Sequence, residues 1–477
     1  MLRAIGIVSM LILARLLTPE DFGIVAIATM VVFFCDVLTE SGAQQYIVQK
    51  ETVDDKDLNS SWTLNLALKS IVCILFILST PLIETFFDRT DLAQPLQIIA
   101  LILPLGALMN PGLHLLKKEF NYRPIMRLLV AEKILSFIFT VSMAFYFENY
   151  WAMIWGVVLS YLFKTIGSYF IHEYRPKFDA CRIKEQWGFS KWMLFKSILG
   201  YSKAQLDTLF ISKLFSFEAL GGFSLMKNLS IMPALELIKP LTEPLLASFS
   251  KVKSDPDKLN YQISYSLCIL FMGTAPISTF LWNYDELIVQ LLFDDRWWQY
   301  APILGIMSVL IVNFSFVSIF QEALIALNKV KILFYYDLVS VVLIVATLLL
   351  LTFESIEQFA LVRAVLAIGS VFILTVTITY ILKLNLYRIA VLITPTCLSC
   401  VLSIWLISNI EIYSEWPLFL NLLATGLSFV VSYVVFVIVG YQLLSARQET
   451  KELKKLIGYL YKQVIKSRKT DGTQYEK

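Results

Sequence analysis

The 477-residue chain predicts an all-α polytopic membrane protein with about fourteen transmembrane helices. Three observations carry that prediction. Hydrophobic residues make up 57% of the chain and charged residues only 16%, against about 45–50% and about 25% in soluble domains. The apolar residues gather into runs able to cross a hydrocarbon core of roughly 30 Å, which takes about 20 residues per helix. The runs are continuous, as in VSVVLIVATLLLL, whereas barrel strands would alternate over about ten residues. An aromatic content of 14% excludes a disordered chain. The net charge of +3 gives no support to nucleic-acid binding.

In chain order the predicted spans are 2–17, 22–38, 61–86, 93–115, 124–147, 151–172, 192–214, 218–238, 261–282, 300–326, 332–353, 357–381, 388–408 and 417–443. Trp62, Trp151, Trp192, Trp298 and Trp416 fall at or beside helix starts, where an amphipathic ring prefers the headgroup layer. Lys and Arg concentrate in the loops after even-numbered spans, among them Lys50, Lys56, Lys117, Lys118, Arg175, Lys177, Lys251, Lys253, Lys329 and Lys383. Loops after odd-numbered spans are short and acidic, as in DRTD at 88–91. The positive-inside rule then places both termini in the cytoplasm. The tail, 445–477, spaces Leu453, Leu456, Ile457, Leu460 and Val464 helically among lysines. It is expected either as an amphipathic helix on the anionic inner leaflet or as a solvated basic tail.

An internal repeat organises the spans. ILARLLTPEDFG at the end of the first aligns without gaps on FISKLFSFEALG at the end of the seventh, so that Arg15 meets Lys213, Glu20 meets Glu218 and Gly23 meets Gly221. Six helices separate the copies, an even number, which implies a parallel duplication about an axis along the membrane normal. The expected organisation is an N-terminal lobe at 1–186, a C-terminal lobe at 187–383, two further helices at 384–444 and the tail at 445–477. The same offset makes the first span shorter than its repeat partner, with no basic lead before it. A beginning that lacks about half a helix is expected, with a signal peptide as the competing reading of M-L-R and a short apolar run.

ILARLLTPEDFGIVAIATMV and the following DVLTESGAQQYIVQKE resemble the opening of the polysaccharide transporter family, the Wzx-type lipid-linked oligosaccharide flippases of the multidrug/oligosaccharidyl-lipid/polysaccharide (MOP) exporter superfamily. AQLDTLFISKLFSFEALGGFSLMKNLSIMPALELIKPLTEPLLASFSKVKSDPDKL resembles the corresponding later segment. LLFDDRWWQYAPILGIM is similar to a family pattern carried here by Phe293, Arg296, Trp297, Ala301 and Pro302, with Asp294 where the family usually has Gly. The resemblance runs from Leu2 to about Tyr441. It implies a MATE-like pair of six-helix lobes plus two C-terminal helices around a cavity open alternately to either side. It also implies translocation of undecaprenyl-pyrophosphate-linked glycan repeat units across a bacterial inner membrane for exopolysaccharide, capsule or O-antigen (lipopolysaccharide) synthesis. The implied setting is a multi-pass, monomeric, non-enzymatic protein among membrane lipids, working beside a polysaccharide polymerase and a chain-length regulator. H+ or Na+ coupling is implied in place of a cofactor.

Ionisable residues inside spans cost roughly 2.5–3.5 kcal/mol on insertion scales and normally face a polar interior. Basic candidates to line a cavity for an anionic headgroup are Lys69, Lys133, Lys164, Lys196, Lys203 and Arg363. Lys227 is a further basic residue in a span. Snorkelling to the interface is the alternative for each, strongest for Lys164. Acids in spans are Asp36, Glu132, Asp207, Glu236, Glu322 and Asp337. Asp207 and Glu132 are the candidates for ion coupling. Lys196, Lys203 and Asp207 share one helix face, so Asp207 could instead pair with Lys203 at i,i+4. His114 and His172 are expected at interfaces, and the six cysteines as small hydrophobes, Cys397 and Cys400 included. No Walker A loop is present. A cation-coupled multidrug exporter and a membrane polysaccharide polymerase are the other readings. Cationic drugs would favour acidic cavity residues, and a polymerase would carry a larger outer loop than 283–299.

Overall fold

The computed structural model describes residues 2–40, 42–409, 416–444, 447, 450 and 451, and they form helices and connecting turns. The helices are α1 (Leu2–Leu16), α2 (Pro19–Leu38), α3 (Ala43–Gln49), α4 (Asp55–Phe87), α5 (Ala93–Ile99), α6 (Ile102–Ala107), α7 (Gly112–Lys118), α8 (Tyr122–Phe147) and α9 (Trp151–Ile171). They continue as α10 (Ile183–Leu214), α11 (Phe217–Val252), α12 (Pro256–Asn283), α13 (Asp285–Leu292), a 3-10 turn (Asp295–Tyr300), α14 (Ala301–Ala326), α15 (Val330–Leu350), α16 (Ile356–Leu382), α17 (Leu386–Ser408) and α18 (Leu418–Leu443). Each predicted span falls on helix. Among the described residues, ten helices are long and apolar enough to cross a membrane, and the bent α5–α7 segment brings the number to eleven if it is one broken span. α10 and α11 are long, yet they carry several charges each. The basic tail beyond Lys451 lies outside the described residues.

The bend has a local cause. The helical stretch 93–107 and α7 meet at 61° across a break that holds Asn110 and Pro111. Pro111 cannot continue the helix's donor ladder, and Asn110, buried, replaces it with its own bonds. Its Nδ2 donates to His172 O at 3.0 Å and Tyr174 O at 2.8 Å, while its Oδ1 accepts from Gly112 N at 2.9 Å. A buried amide with its donors and acceptor all engaged holds a sharp turn stably.

The chain divides into two compact units. The first comprises residues 1–225, 292–299 and 337–356. Within it α2 begins on a capping box, in which Thr18 Oγ1 accepts from Asp21 N at 3.2 Å and Asp21 Oδ2 accepts from Thr18 N at 2.9 Å. Asp21 Oδ1 also accepts from Tyr150 N at 2.9 Å, which ties the start of α2 to the start of α9. α4 begins on a second capping box between Asp54 and Asp57. Asp57 is buried, and its Oδ1 accepts from Lys50 Nζ at 2.6 Å and from Tyr46 OH at 3.2 Å. That hydrogen bond pushes the Lys50 ammonium's pKa up.

The repeat-related turns meet inside this unit. A Cβ on Gly23 would run into the carbonyl oxygen of Phe217, and a Cβ on Gly221 into that of Pro19. By the 198-residue offset of the repeat, Pro19 is the counterpart of Phe217 and Gly23 that of Gly221. The contact is therefore reciprocal, as a local pseudo-two-fold axis requires. Trp297 caps the same region, fully buried, with its Nε1 donating to Ala14 O at 2.8 Å and its ring edge-on to Phe22 at 5.1 Å. Asp294, where the resemblance leads one to expect Gly, is not among the positive-φ residues. An L-residue fits that turn, and the Asp294 carboxylate accepts from the Arg296 guanidinium.

The second unit comprises residues 226–291, 300–336 and 357 onward. Its core gathers Phe249, Ile263, Leu267, Ile311, Phe320 and Ile378 from α11, α12, α14 and α16. α17 and α18 join α12 through Tyr441 OH, which donates to Leu392 O at 2.6 Å, and Tyr433 OH, which donates to Met272 O at 2.7 Å. All six cysteines are free thiols.

Candidate functional site

The in-span charges sit at several distinct places. On α4, Lys69 Nζ donates to Asp36 Oδ1 of α2 at 2.6 Å, and the two side chains are 13% and 30% exposed. Gly106 lies beside the pair: a Cβ there would press on the Tyr161 ring at 3.3 Å and only touch Lys69 Nζ, at 3.8 Å. In a hydrocarbon setting the carboxylate offsets the cost of holding an ammonium inside the bundle.

Lys69 forms one wall of a cavity of about 250 Å³ within the first unit. Trp62 and Asn65 of α4, His114 and Lys117 of α7, and Lys164 of α9 line it too. Three ammonium groups thus meet one cavity. Its lining contains no carboxylate, and Asp36, just behind it, is engaged by Lys69. Lys164 is half-buried and makes no hydrogen bond or ion pair among the described residues. A chamber of this composition can take oxygen atoms of an anionic group, with Asn65 adding a neutral polar contact.

Of the predicted cavity residues, Lys69 and Lys164 meet here. Lys133 is half-buried on α8 and is not part of this lining. Lys203 of α10 donates to Asp337 Oδ1 of α15 at 2.7 Å, both within the first unit. Asp207, one turn further along α10, is buried. Glu132 of α8 accepts a hydrogen bond from Ser160 Oγ of α9. Arg363 is buried on α16, in the second unit. The side chains of Lys196 and Glu236 lie outside the described residues.

Sequence reasoning gave no cavity role to Asp36, Lys117 or His114. A straight fourth span over 93–115 places Lys117 in a topology-setting loop and His114 at an interface. The 61° bend turns α7 so that both side chains reach the cavity. The dipeptide Asn110-Pro111 is the signal that marks it.

The connection between α4 and α5 carries a separate polar cluster. The Arg89 guanidinium donates to Asp91 at 2.6 Å and 2.8 Å and to Glu20 at 2.9 Å, and it holds the Asp91 carboxyl below its ordinary pKa. Lys213 Nζ lies 3.4 Å from Asp88 and over the ring of Phe86.

A family model described as polysaccharide biosynthesis protein matches residues 12–302. The chain belongs to that family. Among its relatives is the lipopolysaccharide biosynthesis protein WzxC of Escherichia coli, 24% identical over 344 residues, which span 70% of this chain and 68% of the relative. The succinoglycan biosynthesis transport protein ExoT of Rhizobium meliloti is 24% identical over 334 residues, 69% of this chain and 67% of the relative. Among solved structures, lipid II flippase MurJ in an inward closed conformation superposes with a TM-score of 0.71 at 16% identity, covering 93% of this chain and 97% of its own. At that identity the likeness speaks to the fold alone, an all-helical membrane fold such as the family resemblance implies. This member of the polysaccharide biosynthesis family is accordingly a multi-pass, all-helical membrane protein. The matched residues, 12–302, include every cavity-lining residue.

Proposed function

We propose that this chain is a flippase that carries undecaprenyl-pyrophosphate-linked oligosaccharide repeat units from the inner to the outer leaflet of a bacterial inner membrane, for exopolysaccharide, capsule or O-antigen assembly. The observation that carries the proposal is the cavity in which Lys69, Lys117 and Lys164 converge inside an apolar helical unit. A pyrophosphate is the anionic group of such a substrate, and the ammonium groups offer it charge-assisted hydrogen bonds while the polyprenyl chain stays among lipid tails. The names of the relatives, a succinoglycan transport protein and a lipid II flippase, support the same reading. Translocation proceeds by alternating access, with H+ or Na+ coupling through in-span acids such as Asp207 or Glu132. The protein performs no covalent chemistry in this scheme. Both termini face the cytoplasm, and a polymerase and a chain-length regulator act on the delivered unit.

The test is glycan export in a strain deleted for this gene and complemented with variants. Lys69→Gln and Lys164→Gln should each lower surface glycan at least about tenfold at equal membrane abundance, the worth of one charge-assisted contact. Wild-type export by the Lys69→Gln, Lys164→Gln double variant would remove this cavity from the mechanism.

A further inference from the structure

The break in the fourth span releases backbone groups that a continuous helix would pair, and in an apolar setting each needs another partner. Met109 N turns to Gly106 O and Gly112 N to Asn110 Oδ1, so the carbonyls of Leu105 and Leu108 lose their ladder donors, and the amide of Asn110 leaves the ladder as well. α9 supplies partners for all three. Thr165 Oγ1 donates to Leu105 O at 2.7 Å, Tyr169 OH donates to Leu108 O at 2.8 Å, and Ser168 Oγ accepts from Asn110 N at 2.9 Å. Ser168 Oγ in turn donates to Thr165 O at 2.6 Å, so its hydroxyl is engaged on both sides. Thr165, Ser168 and Asn110 are buried. At about 100° per residue, Lys164, Thr165, Ser168 and Tyr169 fall within an arc of about 140° on α9. The face that grips the broken span thus also presents the Lys164 ammonium to the cavity, which Lys117 enters from beyond the break.

We infer that Thr165, Ser168 and Tyr169 are positioning residues that set the separation of Lys117 and Lys164 in the cavity, and so make the site choose an anion with two phosphoryl groups over an anion with one. The inference rests on the flippase reading for the kind of anion and adds to it what fixes the cations. None of the three hydroxyl residues lines the cavity, so they act through the lysines. Like charges repel, and two ammonium groups that face one cavity move apart unless their helices are tied. The tie is short: Thr165 follows Lys164 directly in the chain, and Asn110, bonded to Ser168, lies two turns of helix before Lys117. A diphosphate meets both ammonium groups at once through charge-assisted contacts, whereas a monophosphate engages one. Loosening the tie therefore costs the diphosphate more.

Calorimetric titration of the purified full chain in lipid nanodiscs, with inorganic pyrophosphate and with inorganic phosphate, tests this. Wild type is expected to prefer pyrophosphate by at least about tenfold. Thr165→Val keeps the side chain's shape and removes the donor, and Ser168→Ala removes the acceptor of Asn110 N. Each should cut the preference about tenfold by weakening pyrophosphate, with phosphate affinity changed less than about twofold. Thr165→Ser keeps the hydroxyl and should retain the preference, a rescue that general loss of fold would not give. Tyr169→Phe serves if the buried variants do not fold, and it should lower the preference by about two- to threefold. A wild-type preference that every folded variant keeps would overturn the positioning role and leave the flippase reading intact, and equal affinity of wild type for the two anions would overturn it too. Wild type that binds neither anion would remove the cavity from the flippase reading, and this inference with it. A preference that follows the Thr165 hydroxyl, in a protein whose deletion leaves glycan export unchanged, would end the flippase reading and leave the positioning role standing.

Discussion

Lys203 and Asp337 form an ion pair at 2.7 Å between α10 and α15, although 134 residues separate them in the chain. The pair joins the helix that opens the second repeat to a segment, 337–356, that belongs to the same compact unit. Lys203 and Asp337 are partly exposed, 27% and 39%, which limits the cost of removing one partner. We expect Lys203→Ala to lower stability by about 1–2 kcal/mol, below the range for fully buried pairs. Exchange of the two charges, Lys203→Asp with Asp337→Lys, should recover most of it. Thermal unfolding in detergent checks both.

Asp36 holds the Lys69 ammonium, so the two substitutions should behave differently. Lys69→Gln removes a cationic group from the cavity and is expected to depress glycan export. Asp36→Asn leaves that charge in place and frees it from its carboxylate. Binding of inorganic pyrophosphate to the purified protein should therefore weaken about tenfold or more in the first variant and hold or tighten in the second. Calorimetric titration reads both, and equal weakening would show that Asp36 acts only to position Lys69.

Trp297 is fully buried, and its indole N–H has a single backbone acceptor, Ala14 O. Trp297→Phe keeps most of the ring and leaves that carbonyl unpaired, a cost of about 1–3 kcal/mol. Trp297→Ala adds a cavity and should cost about 3–5 kcal/mol. Unfolding midpoints of the two variants against wild type decide whether the hydrogen bond or the packing dominates.

Asp285 begins α13, outside the spans, with its carboxylate against Gly305, where a Cβ would come 2.7 Å from Oδ2. Burial pushes its pKa up from 3.8 to about 6. The folded state thus holds a proton that the unfolded chain has already released, so stability falls as pH rises through this interval and stays lowered above it. Asp285→Asn keeps the acceptor that receives Glu286 N and removes the titration. The variant should match wild type near pH 4 and exceed it at pH 8 by about 1 kcal/mol, a figure reduced for solvent screening. Melting curves at the two pH values test the sign.

Much of the helical plan was legible because hydropathy acts locally: a run of apolar residues must form a helix once water is absent, whatever its neighbours do. The repeat could be read from residues 12–23 and 210–221, whereas α2 begins at Pro19, three residues before the expected span 22–38, because Thr18 and Asp21 cap it. The dipeptide Asn110-Pro111 marks a break, but the direction in which it turns α7 was not legible, because the bonds of Asn110 go to His172 and Tyr174 some sixty residues away. Lys117 therefore read as a loop charge. Partner choice was hidden for the same reason. Spacing put Asp207 within reach of Lys203, whereas the acceptor on α15 depends on how distant helices pack.

By itself, then, the sequence determined that this chain lies in a membrane, forms helices along predictable runs, repeats its opening motif and keeps charge inside its spans. Those properties follow from solvent and from local geometry. The tertiary structure alone decided which charges share a cavity, which acid holds Lys69, and that Gly23 and Gly221 meet face to face. The repeat alignment paired those two glycines on paper; only packing could bring each one's missing side chain against the other helix's backbone.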